Sequence, residues 1–449
     1  MSSIDPAFAA NFTIRYGEYL NPLPEVNSFR EFMRLVPPTD RAGKEFHYPI
    51  QSAISHGQTL DITGTAYALN AARSPAQLEA ILDGCDIALR ETLPYSAMLK
   101  GMNGASKSGD SAAYWQPFDY IMMTLLKGAE HYNEIALMFG PGPASTIVSD
   151  IGVVATTAVF AGTGPNYGSA THPIVQITRA TWASGLWNNS GSGGNASGGM
   201  LVDIMNAAGT ATVETNVQIE GVVDPQLCQV QMFKSGSAVA VATGQRLLPA
   251  GWFNKCCVGV QGILQNTGTF ASVSAATNPV WRSRQFNVAG AMTRARVLQI
   301  AAKLFPNGLK NGLTAFCNSQ TFADLAEETH TLTRWNANEG GQTGGIETKV
   351  QGTTRLQYIS PVGSIEVRVH EFMKQGMMFF LEPNMGVRVG ASDINFRGAD
   401  GRGELFLELP NNAGSELRCI SQQAPLLLQP YRNAIATGIV NTGDDTSGS

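Results

Sequence analysis

The stretch that most constrains the fold is residues 115–139, WQPFDYIMMTLLKGAEHYNEIALMF. Its apolar residues recur at steps of three and four, which is the period of one helix face. The next four residues are Gly140-Pro141-Gly142-Pro143, where a helix cannot continue. The sequence therefore predicts one helix of about 25 residues, roughly 37 Å long. Taken alone, it is either an ordinary long core helix or a spine laid across a mostly β protein.

The composition indicates a protein that hides much of its surface. Charged residues are 14% of the chain, against about a quarter in an ordinary soluble protein. No apolar run reaches the roughly 18 to 20 residues that a spanning helix needs, and no basic segment opens a signal peptide, so we expect no membrane. The formal net charge of -5 argues against a tight grip on nucleic-acid phosphates. It leaves open a protein that surrounds DNA without adhering to it.

The sequence contains no convincing active site. The six cysteines include no C-x-x-C pair, which favours reduced, structural thiols in a cytosolic setting. The six histidines, at positions 47, 56, 131, 172, 330 and 370, form no H-x-x-x-H motif and are predicted to be structural or solvated. A nucleophile elbow is missing, and GTGPNYG at 162–168 has the wrong spacing for a dinucleotide loop. We therefore predict no enzyme, no cofactor, and no catalytic, cofactor-binding or metal-binding residue.

The first part of the chain resembles an arm followed by a hairpin. Prolines break up residues 1–44, and FHYPIQSAI with TLDITGTAYAL predicts a hairpin over 46–69 whose tip is 55–58. This hairpin has too few large apolar residues for its own core, so it packs either on its own domain or on another subunit. Leu78, Ile81, Leu82, Cys85 and Leu89 then predict a second helix over 74–89.

Later segments alternate in type. Short runs rich in Val and Thr predict antiparallel strands over 146–285. Helical periodicity returns at 290, then GLTAFCN predicts a buried strand, and Asn318 is placed to cap a further helix. The last hundred residues predict strands again, and the tail 441–449 is disordered by composition.

The second half of the chain resembles a known family. The segment TRARVLQIAAKLFPNGLKNGLTAFCNSQTFADL joins a helix, a buried strand ending in Asn, and a second helix. It is followed by IEVRVHEFMKQGMMFFLEPNMGVRVGASDINF and by ELFLELPNNAGSELRCISQQAPLLLQPYRNAIATGI. Together these segments resemble the major capsid proteins of tailed bacteriophages, which have the Hong Kong 97-type fold. The resemblance is specific over roughly 290–440 and concerns only the order of elements before that.

The resemblance implies an α+β fold with named parts. These are an N-terminal arm (1–44), an extended hairpin or E-loop (45–73), a peripheral domain with the spine helix (74–162), a β-rich insertion (163–285), apical-domain helices (286–345), peripheral strands (346–403), closing strands of the apical or core region (404–440) and the tail (441–449). It also implies that the apolar face of the spine helix packs on strands from about 346 to 400. The polar flank, with Asp119, Lys127, Glu130, Asn133 and Glu134, would then face a broad surface of the shell.

The function that the resemblance implies is structural. The chain would assemble, in the host cytoplasm, into hexamers and pentamers of an icosahedral virion shell that encloses double-stranded DNA without sequence-specific binding. Expected partners are a separate scaffolding protein, a portal and a decoration protein. Two alternatives stay open at this point: an encapsulin-like cargo compartment of the same fold, and a β-rich phage tail or fibre protein.

Overall fold

A computed structural model describes residues 28–36, 45–62, 64, 66–94, 112–156, 172–188, 199–235, 237–337, 356–360, 363–396, 406–408 and 414–442. Within these residues the α-helices are α1 (Ser28–Phe32), α2 (Ala112–Phe139), α3 (Val260–Leu264), α4 (Arg294–Leu304) and α5 (Ser319–Ala337). The first strands are β1 (Arg34–Leu35), β2 (Phe46–Ala53), β3 (Ala76–Leu82), β4 (Cys85–Pro94), β5 (Gly152–Val153), β6 (Ile174–Gln176), β7 (Leu201–Met205), β8 (Thr212–Asp224), β9 (Gln229–Phe233) and β10 (Arg246–Pro249). The later strands are β11 (Thr269–Phe270), β12 (Val273–Ser274), β13 (Arg284–Gly290), β14 (Leu313–Cys317), β15 (Leu356–Ser360), β16 (Gly363–Val369), β17 (Met377–Leu381), β18 (Gly386–Phe396), β19 (Phe406–Glu408), β20 (Gly414–Leu427) and β21 (Ala434–Ile439).

The predicted long helix is confirmed as α2, which begins three residues earlier than expected and ends at Phe139. Its end is fixed by a close backbone approach. A Cβ at Gly140 would lie 2.3 Å from the carbonyl oxygen of Cys257, so only glycine fits there. None of the helices in the described part of the chain is long and apolar enough to cross a membrane.

The helix α2 lies against a sheet whose central strand is β20. Residues 414–423 of β20 pair with β4, while residues 415–417 and 419–427 pair on the opposite edge with β19 and β18. The short strand β1 adds to β18 in parallel. We call these five strands the spine sheet.

The partners of the apolar helix face differ from the prediction. Leu125 and Ala129 are buried against Leu417 and Cys419, so the main contact is with β20, and β4 lies beside it. Only β18, through Ile394 and Phe396, comes from the predicted range 346–400. The cause is strand pairing: β20 bonds to both β4 and β18 and therefore occupies the middle of the sheet.

The predicted strand-rich segment forms a six-stranded antiparallel sheet in the order β5-β10-β7-β8-β9-β6. Its two outer strands also meet. Val154 bridges Ile177, and the backbone N–H of Ala155 donates to the carbonyl of Gln176 at 2.8 Å. The sheet thus closes into a small barrel, which removes the unpaired edges that an open sheet would expose. Its interior is fully buried and includes Val202, Ile204, Val217, Ile219, Val230, Met232 and Leu247.

A mixed sheet holds the remaining helices. Its order is β13-β21-β17-β14-β16-β15, and one core contains its buried residues together with Val297, Ile300 and Leu304 of α4 and Leu325 of α5. The predicted helix–strand–helix order is confirmed. Asn318 caps α5 through its Oδ1, which accepts the N–H of Gln320 at 3.0 Å. The strands at 356–381 belong to this mixed sheet and β18 to the spine sheet, so the boundary between the two sheets lies after β17.

The prediction of a helix over 74–89 is wrong. That segment forms β3 and β4, separated by Asp83 and Gly84. Ten residues of β4 pair with β20, and β3 pairs with β2 from Phe46↔Leu82 to Ala53↔Ala76. Leu78, Ala80 and Leu82 also alternate as a strand requires, so the apolar spacing was ambiguous. Residues 59–69 are accordingly not the second limb of the hairpin.

Several predicted features lie outside the described residues. They include positions 1–27 and 37–44 of the arm, the loop at 162–168, and the tail from 443 onward.

Candidate functional site

The hairpin formed by β2 and β3 projects from the molecule. Its base is buried through Phe46, Ile50 and Ala80. The backbone N–H of Ile81 donates to the carbonyl of Ala271 at 3.0 Å, which ties the base to the β11–β12 turn. Beyond Ala53 the two limbs are held by an isolated bridge between His56 and Arg73. The hairpin is therefore anchored at one end and free at the other.

The free end carries large apolar side chains in contact with solvent. The exposed fractions are 64% for Ile54, 84% for Leu60, 101% for Ile62, 55% for Tyr67 and 79% for Leu69. A monomeric protein rarely leaves so many large apolar groups together in water, and such patches mark protein–protein contacts. We call these five residues the tip patch.

In contrast to the exposed tip patch, two buried polar side chains form hydrogen bonds that connect separate elements of the fold. The first is Glu134, at 0% exposure on α2. Its carboxylate accepts the backbone N–H groups of Phe29 and Arg30 at 2.8 and 3.0 Å, and Nε2 of His370 lies 2.9 Å away. This carboxylate thus connects the arm, the spine helix and the end of β16.

The second buried group is Lys374, in the turn between β16 and β17. Its Nζ donates to the carbonyl of Asp150 at 2.7 Å and to the side-chain oxygen of Gln261 at 2.9 Å. It also lies 3.2 Å from Oδ1 of Asp150 and 4.7 Å from the centre of the Phe139 ring. Burial lowers the pKa of Lys374, and the charge of Asp150 opposes that shift.

The turn that carries His370 and Lys374 also forms hydrogen bonds to the segment that precedes β7 of the barrel. The N–H of Gln375 donates to the carbonyl of Trp182 at 2.9 Å, and the N–H of Gly376 donates to that of Ala180 at 3.0 Å. Residues 370–376 therefore touch the arm, the spine helix, the barrel segment and the mixed sheet. We call residues 370–376, Glu134, Asp150 and Gln261 the buried junction.

The polar flank predicted for α2 is only partly on the surface, which corrects the expectation. Asn133 and Glu134 are buried, at 1% and 0% exposure. Asn133 accepts a hydrogen bond from the Ser421 hydroxyl at 2.7 Å, so it faces the spine sheet. Residues 133–139 of α2 are buried, and the polar residues among them, Asn133 and Glu134, have fixed hydrogen-bond partners.

The histidines are dispersed through the fold. His47 pairs with Glu79 at 2.8 Å and His172 with Glu220 at 2.9 Å, both near the surface. His131 packs on the ring of Phe372, and its Nε2 is buried without a hydrogen-bond partner. Burial lowers the pKa of His131 to about 4. His370 also packs on the Phe372 ring, and the side chain of His330 lies outside the described residues.

Sequence reasoning missed the residues that matter most here. Glu134 and His370 are 236 positions apart, and Lys374 and Asp150 are 224 apart, so no local motif links them. A weak signal existed, because both Glu134 and Lys374 interrupt apolar stretches that are otherwise buried. Three cysteines, Cys85, Cys256 and Cys257, also converge, with sulfur atoms within 4.8 Å of one another.

The described residues form an α+β fold with an apolar hairpin, as expected from the resemblance to capsid proteins of the Hong Kong 97 type. Residues 255–387 match the family described as SU10 major capsid protein. This match confirms the resemblance to phage major capsid proteins that was predicted from the second half of the sequence. The match runs from just before α3 to the first residues of β18 and so includes the turn at 370–376.

Solved structures of similar chains are more distant. The capsid asymmetric unit of cyanophage A-1(L) is 12% identical, with 95% of this chain and 97% of that chain covered and a TM-score of 0.49. The capsid of cyanophage P-SCSP1u is 8% identical, with 96% and 94% covered and a TM-score of 0.42. The capsid asymmetric unit of cyanophage Pam1 is 11% identical, with 94% and 96% covered and a TM-score of 0.41. No curated protein matches the chain.

Proposed function

We propose that this chain builds the icosahedral shell of a tailed double-stranded DNA bacteriophage. In this proposal the hairpin tip forms the main contact with neighbouring subunits. The observation that carries the proposal is the tip patch. Its five large apolar side chains are more than half exposed, on a hairpin whose base alone is buried. A second copy of the chain that covers them would remove this apolar surface from water.

In this proposal each part of the fold corresponds to one domain of a capsid subunit. The hairpin (45–82) is the extended loop, and α2 with the spine sheet is the peripheral domain. The mixed sheet with α4 and α5 is the apical domain. The barrel is the insertion into the family core. The topology supports these boundaries because each sheet is a separate set of paired strands.

The buried junction then has a mechanical role. A shell subunit transmits force between neighbours through its own body, so its parts must keep a fixed relative orientation. The junction joins the arm, spine helix, barrel and mixed sheet through hydrogen bonds that are shielded from water, where such bonds are electrostatically stronger. We infer that it holds the subunit rigid while the hairpin stays free to adapt.

The charge of the chain fits a container for DNA. A net charge of -5 works against tight binding of a polyanion, so the shell would enclose the genome without gripping its phosphates. The proposal includes hexamers and pentamers of this chain, together with a portal, a scaffolding protein and a decoration protein as separate partners.

The direct test is assembly of the full-length chain, observed by negative-stain electron microscopy. We expect closed shells from the wild-type chain and folded but unassembled subunits from the triple variant Leu60→Ser, Ile62→Ser, Leu69→Ser. The control is Val213→Ser with Val223→Ser, which removes exposed apolar groups from the barrel strand β8. Shells from the triple variant at wild-type yield would refute the role of the tip patch, and trimeric fibres from the wild-type chain would refute the capsid proposal.

A further inference from the structure

Three thiols from distant parts of the chain meet at one point. Cys85 is the first residue of β4, and Cys256 and Cys257 lie in the loop before α3. Their Sγ atoms all lie within 4.8 Å of one another. Among the residues that the structure describes, this is the only such group of three histidine, cysteine or acidic side chains, and none of its members is in a disulfide.

The surroundings of the three thiols form a shaped site. Cys256 and Cys257 are 4% and 9% exposed, and Cys85 is half-buried. Apolar groups enclose the inner side, namely Leu82, Ile87, Ala136, Trp252 and Ala424. One wall is therefore dry and the Cys85 side faces solvent, which gives a cation a path to enter.

Backbone contacts hold the loop in place. The N–H of Gly142 donates to the carbonyl of Cys257 at 3.1 Å, and the N–H of Gly259 donates to that of Gly140 at 2.9 Å. On the other side, the Cys85 thiol lies 3.4 Å from the carbonyl oxygen of Lys255. The loop and the start of β4 are thus positioned against each other before any ligand is present.

The chemistry of three converging thiols suits a soft metal. The thiolate is the form that binds metals. A divalent cation would form one bond to each of the three sulfur atoms, and the thiol protons that it displaces would pass to water.

We propose that Cys85, Cys256 and Cys257 bind a thiophilic cation of the zinc class. Soft thiolates select Zn²⁺ and Cu(I) over hard cations such as Mg²⁺ and Ca²⁺. Zinc–sulfur bonds are about 2.3 Å long, which brings bound sulfur atoms to about 4 Å from one another, close to the spacing present here. Water from the solvent side fills the fourth position.

Such a cation would brace the hairpin. Only Asp83 and Gly84 separate Cys85 from the end of β3, while Cys257 contacts the last turn of α2 through its thiol, 3.9 Å from the carbonyl oxygen of Ala136. The metal would thus fix the direction in which the hairpin leaves the body. This goes beyond the proposed shell function and stands or falls independently of it.

The test is a zinc titration of the reduced, metal-free, full-length subunit, with bound metal measured by mass spectrometry after gel filtration. We expect one Zn²⁺ per chain, proton release on zinc binding, and a higher Tm with zinc. Replacement of Zn²⁺ by Co²⁺ should give a thiolate-to-cobalt charge-transfer band. The variant Cys85→Ser should lose stoichiometric binding, and Cys256→Ser should do the same. Cys228→Ser, at a buried cysteine of the barrel segment, should keep it.

Either of two results would overturn the site. One is that the reduced wild-type chain binds no stoichiometric zinc. The other is that Cys85→Ser and Cys256→Ser bind zinc as the wild-type chain does. The wild-type titration decides the question by itself if either variant fails to fold.

Discussion

The carboxylate of Glu134 lies 2.9 Å from Nε2 of His370, and both side chains are completely buried. The same carboxylate accepts two backbone N–H groups at the start of α1. A single side chain on the spine helix therefore fixes the position of the arm and of the turn before β17. The account of this subunit as a rigid body with an adaptable hairpin depends on such contacts.

Replacing Glu134 tests the junction. Glu134→Ala leaves two backbone donors and His370 without their acceptor, and we expect it to destabilise the subunit by about 3 to 5 kcal/mol. Glu134→Gln keeps one acceptor oxygen and should cost less. The control is Glu130→Ala, one helical turn earlier on α2 and nearer the surface. It should change the unfolding midpoint little. Equal midpoints for the variants at 134 and 130 would show that Glu134 has no special role.

The second junction group makes a similar prediction. Lys374→Met removes the donor and leaves the Asp150 carboxylate and the Gln261 oxygen without it, so we expect a loss of about 3 to 5 kcal/mol in the free energy of unfolding. The double variant Lys374→Met, Asp150→Asn should recover part of that loss because the unpaired charge is gone. Lys303→Met, on α4 and over the Phe286 ring, is the control. A double variant less stable than the sum of the single changes would contradict the pairing.

The spine helix offers a matched pair of positions two residues apart. Leu125 is 7% exposed and faces β20, whereas Met123 on the same helix is 56% exposed. Leu125→Asp would bury a charge without a partner and should abolish soluble subunits, while Met123→Asp should not. The measurement is the yield of soluble, folded protein. Normal yield of Leu125→Asp would show that this face is not buried in the way described.

Stability should fall in mildly acidic solution because of His131. Its pKa is about 4 in the folded chain, and the ordinary value is 6.5, so the unfolded chain binds a proton first as the pH falls. The contribution to stability is complete above pH 6.5 and is lost progressively down to pH 4, by at most about 3 kcal/mol. His131→Phe should flatten the dependence of Tm on pH across that window. An unchanged slope in this variant would assign the pH dependence to other groups.

The sequence was sufficient for elements whose signal is local. The α2 helix, the α4–β14–α5 order and the capping by Asn318 all follow from short-range spacing and from chain-breaking residues. The prediction for residues 74–89 was wrong because their apolar residues satisfy both the helix period and the strand period. One of its strand partners, β20, lies more than three hundred positions away, so a local pattern could not reveal that pairing.

The buried polar groups were hidden for a related reason. Asn133 and Glu134 have the residue types of a solvated flank, and only the folded chain shows that Ser421, Phe29 and His370 lie against them. The thiol cluster also depends on tertiary structure, since 170 positions separate Cys85 from the loop residue Lys255 that it contacts. The exposure of the tip patch could be anticipated more easily, because the hairpin lacks enough large apolar residues to cover itself.

Shortening the hairpin tests its free end without touching its base. Replacing residues 57–72 by the two residues Asn-Gly removes most of the tip patch and joins the bridge pair His56 and Arg73 by a two-residue turn, while the β2–β3 ladder is kept. We expect a folded subunit with a wild-type circular dichroism spectrum that forms no shells. Assembly is measured by light scattering. Assembly at the wild-type rate would show that the hairpin is not part of the proposed interface.

The measurement that tests the central claim most directly is a cryo-electron microscopy map of the particle formed by this chain. The account predicts a closed icosahedral shell in which Leu60, Ile62 and Leu69 of each hairpin are buried on a neighbouring subunit, while the contacts of Glu134 and Lys374 are unchanged within each subunit. A chain that forms no closed shell, or a shell in which the tip patch stays exposed to solvent, would contradict it.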